Sequence, residues 1–256
     1  MKNQYRVMGL MVVLLTLLLA IPGAQAADVS VGGGIGFKPD YEGSQDYEAV
    51  PVPYFNVNFN HGMYIKLLGT NLRFNLIPEK TWYLGPVYNY RAKRSDVEND
   101  AVDDMKTVSD AHELGGFGGF LINNWFVSLE FLTDLGDAHD GWYSKLKGGY
   151  NWMISNSWAL SIGAFTTYAD EDYMQTYFGV SAGDAARSGL DRYDADEGIK
   201  DAGIELGLNW MITQNWSARG IGSYTQLVGD ADDSSPVVDE GSESQFFGAA
   251  LIVYTF

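Results

Sequence analysis

The chain has 256 residues, with 33 acidic against 16 basic side chains, a formal net charge of −17, 14% aromatic residues and no cysteine. Such acidity argues against nucleic acid as a partner. The absence of cysteine excludes disulfides, so hydrogen bonding and packing must hold roughly 230 residues in one large domain.

At the N-terminal end, Lys2 and Arg6 precede an apolar run from Met8 to Ile21, followed by Ala24-Gln25-Ala26, the small-x-small pattern of a secretory cleavage site. The run is short for a retained anchor, so residues 1–26 are expected to be a cleaved signal peptide and 27–256 a single domain. Its loss leaves 14 basic against 33 acidic residues, a net charge of −19. No later stretch has the eighteen consecutive apolar residues of a spanning helix.

Alternation replaces helical periodicity through the remainder. Leu72, Phe74 and Leu76 alternate with Asn71, Arg73 and Asn75, and Ala202 through Ile212 repeat the pattern. A soluble sandwich would alternate in the same way, so the turns must decide. Segments 151–163 and 209–222 are near copies, each carrying a tight polar turn flanked by tryptophans, and 121–129 is a looser third version. These anchors predict strands at 29–37, 50–59, 63–68, 71–77, 81–91, 112–121, 125–134, 142–153, 158–168, 201–212, 216–227 and 245–256. Connections after even strands are short. Four after odd strands (38–49, 92–111, 169–200 and 228–244) are long and acidic. The expected fold is therefore all-β: an antiparallel transmembrane barrel of the Gram-negative outer membrane, about 12 strands, with short periplasmic turns and long extracellular loops among lipopolysaccharide. The last strand puts Phe246, Gly248, Ala250, Ile252, Tyr254 and Phe256 on one face, and Tyr254 with Phe256 resembles the signal read by the barrel assembly machinery.

With the oily face toward lipid, the ionisable side chains predicted inside are Lys66, Arg73, Arg91, Lys145, Lys147 and Arg219, against Glu130 and Glu205. Two readings of this basic bias compete. It is either an interior network filling a narrow barrel or the lining of a small-solute channel that prefers anions, and the 169–200 loop could close it.

Catalytic patterns are weak. Gly179 to Gly183 matches G-x-S-x-G around Ser181, but no histidine follows His139, and the order that a nucleophile elbow needs is missing. His61, His112 and His139 fall near the barrel rims and read as solvated. The run from Gly32 to Gly36 departs from a dinucleotide loop at Phe37 and reads as close backbone packing. The acidic segments 191–198 and 229–233 lack EF-hand spacing, so solvated loops are the default, with weak Ca²⁺ or Mg²⁺ binding as the alternative. Neither an enzyme nor a cofactor is expected.

Segments 39–55, 177–210 and 224–238 resemble the signature blocks of the MipA/OmpV family, the MltA-interacting proteins of the outer membrane; the block running from Tyr177 through the Ala186-Arg187-Ser188-Gly189-Leu190 run is the most specific. Residues 233–236 carry one serine more than the family's usual aspartate-serine-proline, and 92–111 follows no family pattern. The resemblance implies a scaffold joining a lytic transglycosylase to a bifunctional penicillin-binding protein in peptidoglycan synthesis. Strand parity would leave such partners the periplasmic rim: His61, Glu79, Lys80, Asn123, Asn124, Asn156, Gln214 and Asn215.

Overall fold

A computed structural model describes residues 27–256 apart from 60, 61 and 233, so residues 1–26 and His61 lie outside the described residues. Twelve strands close into a barrel in which each neighbour is antiparallel: β1 Ala27–Pro39, β2 Tyr47–Phe59, β3 Tyr64–Leu68, β4 Asn71–Asn75, β5 Trp82–Arg91, β6 Ala111–Ile122, β7 Trp125–Asp134, β8 Trp142–Met153, β9 Trp158–Ala169, β10 Gly198–Met211, β11 Trp216–Leu227 and β12 Ser244–Thr255. Eleven seams join consecutive strands and the twelfth joins β1 to β12, so the sheet has no free edge.

Register sorts the two faces. Cross-strand partners share a side, and Lys66, Arg73 and Val87 follow one another inward around the wall. The alternate residues point out: Leu84, Leu129, Leu146, Ile162, Ile204 and Ile252 are all exposed on the outer wall. Six of the seven tryptophans (Trp82, Trp125, Trp152, Trp158, Trp210 and Trp216) ring the short-turn end, each more than a third exposed. Trp158 and Trp210 stack face to face at 5.3 Å. An oily wall bounded by amphipathic aromatics suits a bilayer and its interface.

The β1–β12 seam explains the glycine run. A Cβ on Gly34 would lie 1.8 Å from the carbonyl oxygen of Ala250, so any larger residue would push the closing strand away.

The long connections are more structured than alternation predicts. They contain α1 Asp100–Asp103, α2 Glu171–Phe178, α3 Ala182–Ser188 and α4 Pro236–Asp239. None of the described helices is long and apolar enough to cross a membrane.

Candidate functional site: the lumen and its sealed mouth

Helix α2 turns back into the barrel at the long-loop end. Asp170 starts it: its Oδ1 accepts the Tyr173 amide at 3.1 Å and the Trp142 amide at 2.9 Å, which ties the N-cap to β8. Tyr173, Met174, Tyr177 and Phe178 form its buried face. They pack with Val87, Leu132 and Tyr143 of the wall into one cluster. Burying each of these four side chains is worth on the order of 1.5–3 kcal/mol, ample to hold a two-turn helix that would not persist alone. The 169–200 loop therefore folds inward and closes the mouth.

Charges fasten this plug. Arg91 donates from Nε to Glu113 at 2.9 Å and from Nη1 to Glu42 at 3.2 Å, while its guanidinium lies 5.2 Å from the centre of the Tyr173 ring and 5.1 Å from that of Tyr177. Lys200 bridges Glu42 at 3.2 Å and Asp201 at 2.7 Å. Glu113, fully buried, also accepts from Asn89 at 2.7 Å and Tyr143 at 3.0 Å. Burial would raise the Glu42 carboxyl, but Lys200, Arg91 and the Tyr173 hydroxyl outweigh it and hold the group at about 2. Burial pushes the Tyr173 and Tyr177 phenols up, so both stay neutral, and Tyr173 donates to Glu42.

His139 corrects the expectation of solvated histidines. It is 2% exposed. Asp134 folds the β7–β8 connection over by accepting the Ala138 and His139 amides at 2.8 and 2.9 Å. The His139 Nδ1 accepts the Gly141 amide at 3.1 Å, which leaves the proton on Nε2, 3.4 Å from Glu113. His112 does lie exposed on the outer wall, against the hydroxyl of Tyr88 at 2.7 Å.

Ser181 is a helix cap. Its Oγ accepts the Asp184 amide at 3.2 Å and donates to Asp184 Oδ2 at 2.6 Å, opening α3. The long connections then knit into a single lid. Tyr41, Val102, Met105, Val180 and Val237, from four different connections, share one buried cluster, and Arg94 donates to the Tyr177 carbonyl at 3.0 Å. The acidic segment 191–198 keeps Asp191, Asp194, Asp196 and Glu197 exposed, as a solvated loop should.

Below the plug the lumen is wetter and basic. Arg73 pairs with Glu130 at 2.6 Å, with side-chain exposures of 37% and 12%. Lys147 pairs with Glu205, at 24% and 34%. Lys145 lies 3.7 Å from the centre of the Phe165 ring and Arg219 4.4 Å from that of Tyr54. Lys66 stands beside Arg73 across the β3–β4 pair. Of the predicted interior charges, Arg91 alone belongs to the mouth. Of the partners that alternation does not reveal, Glu42 lies in the β1–β2 connection and Glu113 and Lys200 sit at strand ends. Glu113 is the third residue of β6, and a register shift between Ile199 and Asp201 breaks the parity that would have located Lys200.

The predicted rim residues are spread around the short turns. Glu79, Lys80, Asn123, Asn124, Asn156, Gln214 and Asn215 are all exposed. Two of them brace the rim: Asn124 donates to the Tyr150 hydroxyl at 3.1 Å and Asn215 to the Thr255 carbonyl at 2.8 Å.

An even-stranded closed barrel with an oily wall, an aromatic girdle and a polar lumen defines an integral barrel of the outer membrane. The family model described as "MltA-interacting protein MipA" matches residues 31–256, and the chain belongs to that family. The MltA-interacting protein of Escherichia coli K12 is 27% identical over 224 residues, 82% of this chain and 84% of that protein. YiaT of Escherichia coli O157:H7, provisionally named an outer membrane protein, is 22% identical over 237 residues, 90% of this chain and 93% of its own. Among solved structures, the NalP translocator domain of Neisseria meningitidis overlays at a TM-score of 0.46 with 12% identity, covering 100% of this chain and 97% of that one. The barrel assignment itself rests on the strand pairing above.

Proposed function

We propose that this barrel is an outer-membrane scaffold that gathers a lytic transglycosylase and a bifunctional penicillin-binding protein for peptidoglycan synthesis, exported by a signal ending at Ala26. The sealed mouth carries the reading, together with the name borne by a relative that covers most of the chain. A barrel closed by α2 is poorly suited to steady diffusion of solutes, and its rim of short turns faces the compartment where murein enzymes work. A non-enzymatic role fits Ser181, whose hydroxyl is used in capping. That rim is small, so contact with partners would fall near or below the ~1,000 Å² of a stable interface, and weak binding would be reinforced by confining a lipid-anchored partner to the same membrane.

Swapping the charges at Glu79 and Lys80 should weaken co-purification of a lytic transglycosylase from detergent extracts. Charge reversal at Lys93 and Asp96, an exposed pair on the opposite end, should leave it intact. Loss with the Lys93 and Asp96 variant alone would overturn the scaffold topology. The basic lumen favours a second reading, a gated small-solute channel, which steady single-channel current through the intact protein would support.

A further inference from the structure

We propose that the lower lumen is a blind anion-binding vestibule, reached from the periplasmic end and closed by the α2 plug. The proposal stands apart from the scaffold reading. Its first ground is charge separated along the barrel axis. The mouth holds Arg91, Lys200 and Arg94 against Glu42, Glu113 and Asp201, a net of zero. Below it, Lys66, Arg73, Lys145, Lys147 and Arg219 face Glu130 and Glu205, a net of +3. The second ground is pairing. Among the described residues no carboxylate lies within 4.0 Å of Lys66, Lys145 or Arg219. Arg219 Nε is also buried without a hydrogen-bond partner.

Three cations inside a low-dielectric wall are costly unless water or an anion compensates them. The exposure gradient locates the compensation. Tyr173, Met174, Phe178 and Glu113 at the plug are fully buried, whereas Arg73, Lys147 and Glu205 remain 24–37% exposed. Water therefore enters from below and stops at the plug. An anion drawn in by the +3 field meets the plug above it, where the charges balance, so the site retains anions instead of passing them. The ligand chemistry is a small oxyanion of two or more negative charges, bearing carboxylates or phosphates.

Calorimetry on the detergent-solubilised protein at low salt, with pyrophosphate in one arm and citrate in the other, tests this. Binding of either probe is expected, weakening steeply as salt rises because charge carries it. Binding in one arm or in both assigns the ligand to phosphates, carboxylates or anions by charge alone. The triple substitution Lys66→Gln, Lys145→Gln and Arg219→Gln should weaken binding at least tenfold, and each single change roughly threefold. Lys93→Gln, in an exposed outer loop, should not. Heat-modifiable migration establishes that each variant is folded, and the single variants serve if the triple is not. The cysteine-free chain allows a second readout: Ser128→Cys, whose position pairs with Lys147, should react several-fold faster with an anionic than with a cationic thiosulfonate. Absence of binding in both arms, or equal binding by folded lumen variants, would overturn the proposal.

Discussion

The hydroxyl of Tyr173 donates to Oε2 of Glu42 at 2.9 Å, joining two long connections across 131 residues of chain. Glu42 also receives Arg91 and Lys200, so one carboxylate links the first outer loop, the wall and the plug. Glu42→Gln keeps the shape and removes the charge, leaving Arg91 on Glu113 and Lys200 on Asp201. A cost of about 1–3 kcal/mol is expected, from hydrogen bonds to a charged acceptor. Protease cleavage within 170–197 should quicken accordingly, with Tyr173→Phe showing a smaller effect of the same sign.

Acid should unfasten the lid in a defined window. Glu42 is held at about 2 against an ordinary 4.5, so its contribution is complete above pH 4.5 and is lost as pH falls toward 2. Asp184 adds the same sign: burial opposes ionisation, but the Ser181 hydroxyl, the Lys106 amide and Arg187 prevail and hold it low. Hydrogen-exchange protection factors at α2, taken against the intrinsic rate at each pH, should stay high at pH 5 and fall between pH 4.5 and 2. In Glu42→Gln the response should flatten.

Replacing 171–178 with a Gly-Ser linker removes the buried face of α2. Single-channel recording should find the intact barrel closed and the replaced one conducting, with anions favoured by the net positive lumen. Steady current through both would show that α2 is not the barrier.

The closing seam discriminates between glycines. Gly34→Val drives a side chain into the Ala250 carbonyl and should sharply reduce the heat-modifiable folded form, whereas Gly220→Ala, whose new Cβ would meet only the Leu208 Cβ at 4.0 Å, should fold normally. Removing Phe256, if it is read during assembly with Tyr254, should lower outer-membrane yield far more than Leu190→Ala.

Strand positions were legible because one physical rule, oily outside and polar inside, repeats along each of them. The predicted 125–134, 142–153 and 216–227 coincide with β7, β8 and β11. An inward 169–200 loop was legible but the helices of the lid were not, because they have four to eight residues and bury their faces against strands and loops distant in sequence. A signal was present in Tyr173 and Tyr177, aromatics four apart just after Asp170, which is the spacing of a capped helix with one oily side. The burial of His139 is hidden from alternation for a related reason. It depends on Asp134 gathering several amides, a local fold that alternation does not describe.

The Ser30 and Thr255 hydroxyls meet at 2.9 Å across 225 positions, on the one seam whose strands are not consecutive. The other seams can form as hairpins or between neighbours in order, whereas this one must await a nearly finished sheet and bears the largest chain-entropy cost. Until it forms, β1 and β12 are two unsatisfied edges able to recruit any passing strand. The hazardous species in this protein's lifetime is therefore the late, almost complete intermediate, and its harm scales with how long that intermediate persists. A lesion at the seam would act through time spent open, and could poison assembly of other barrels even when the few molecules that do close are indistinguishable from normal.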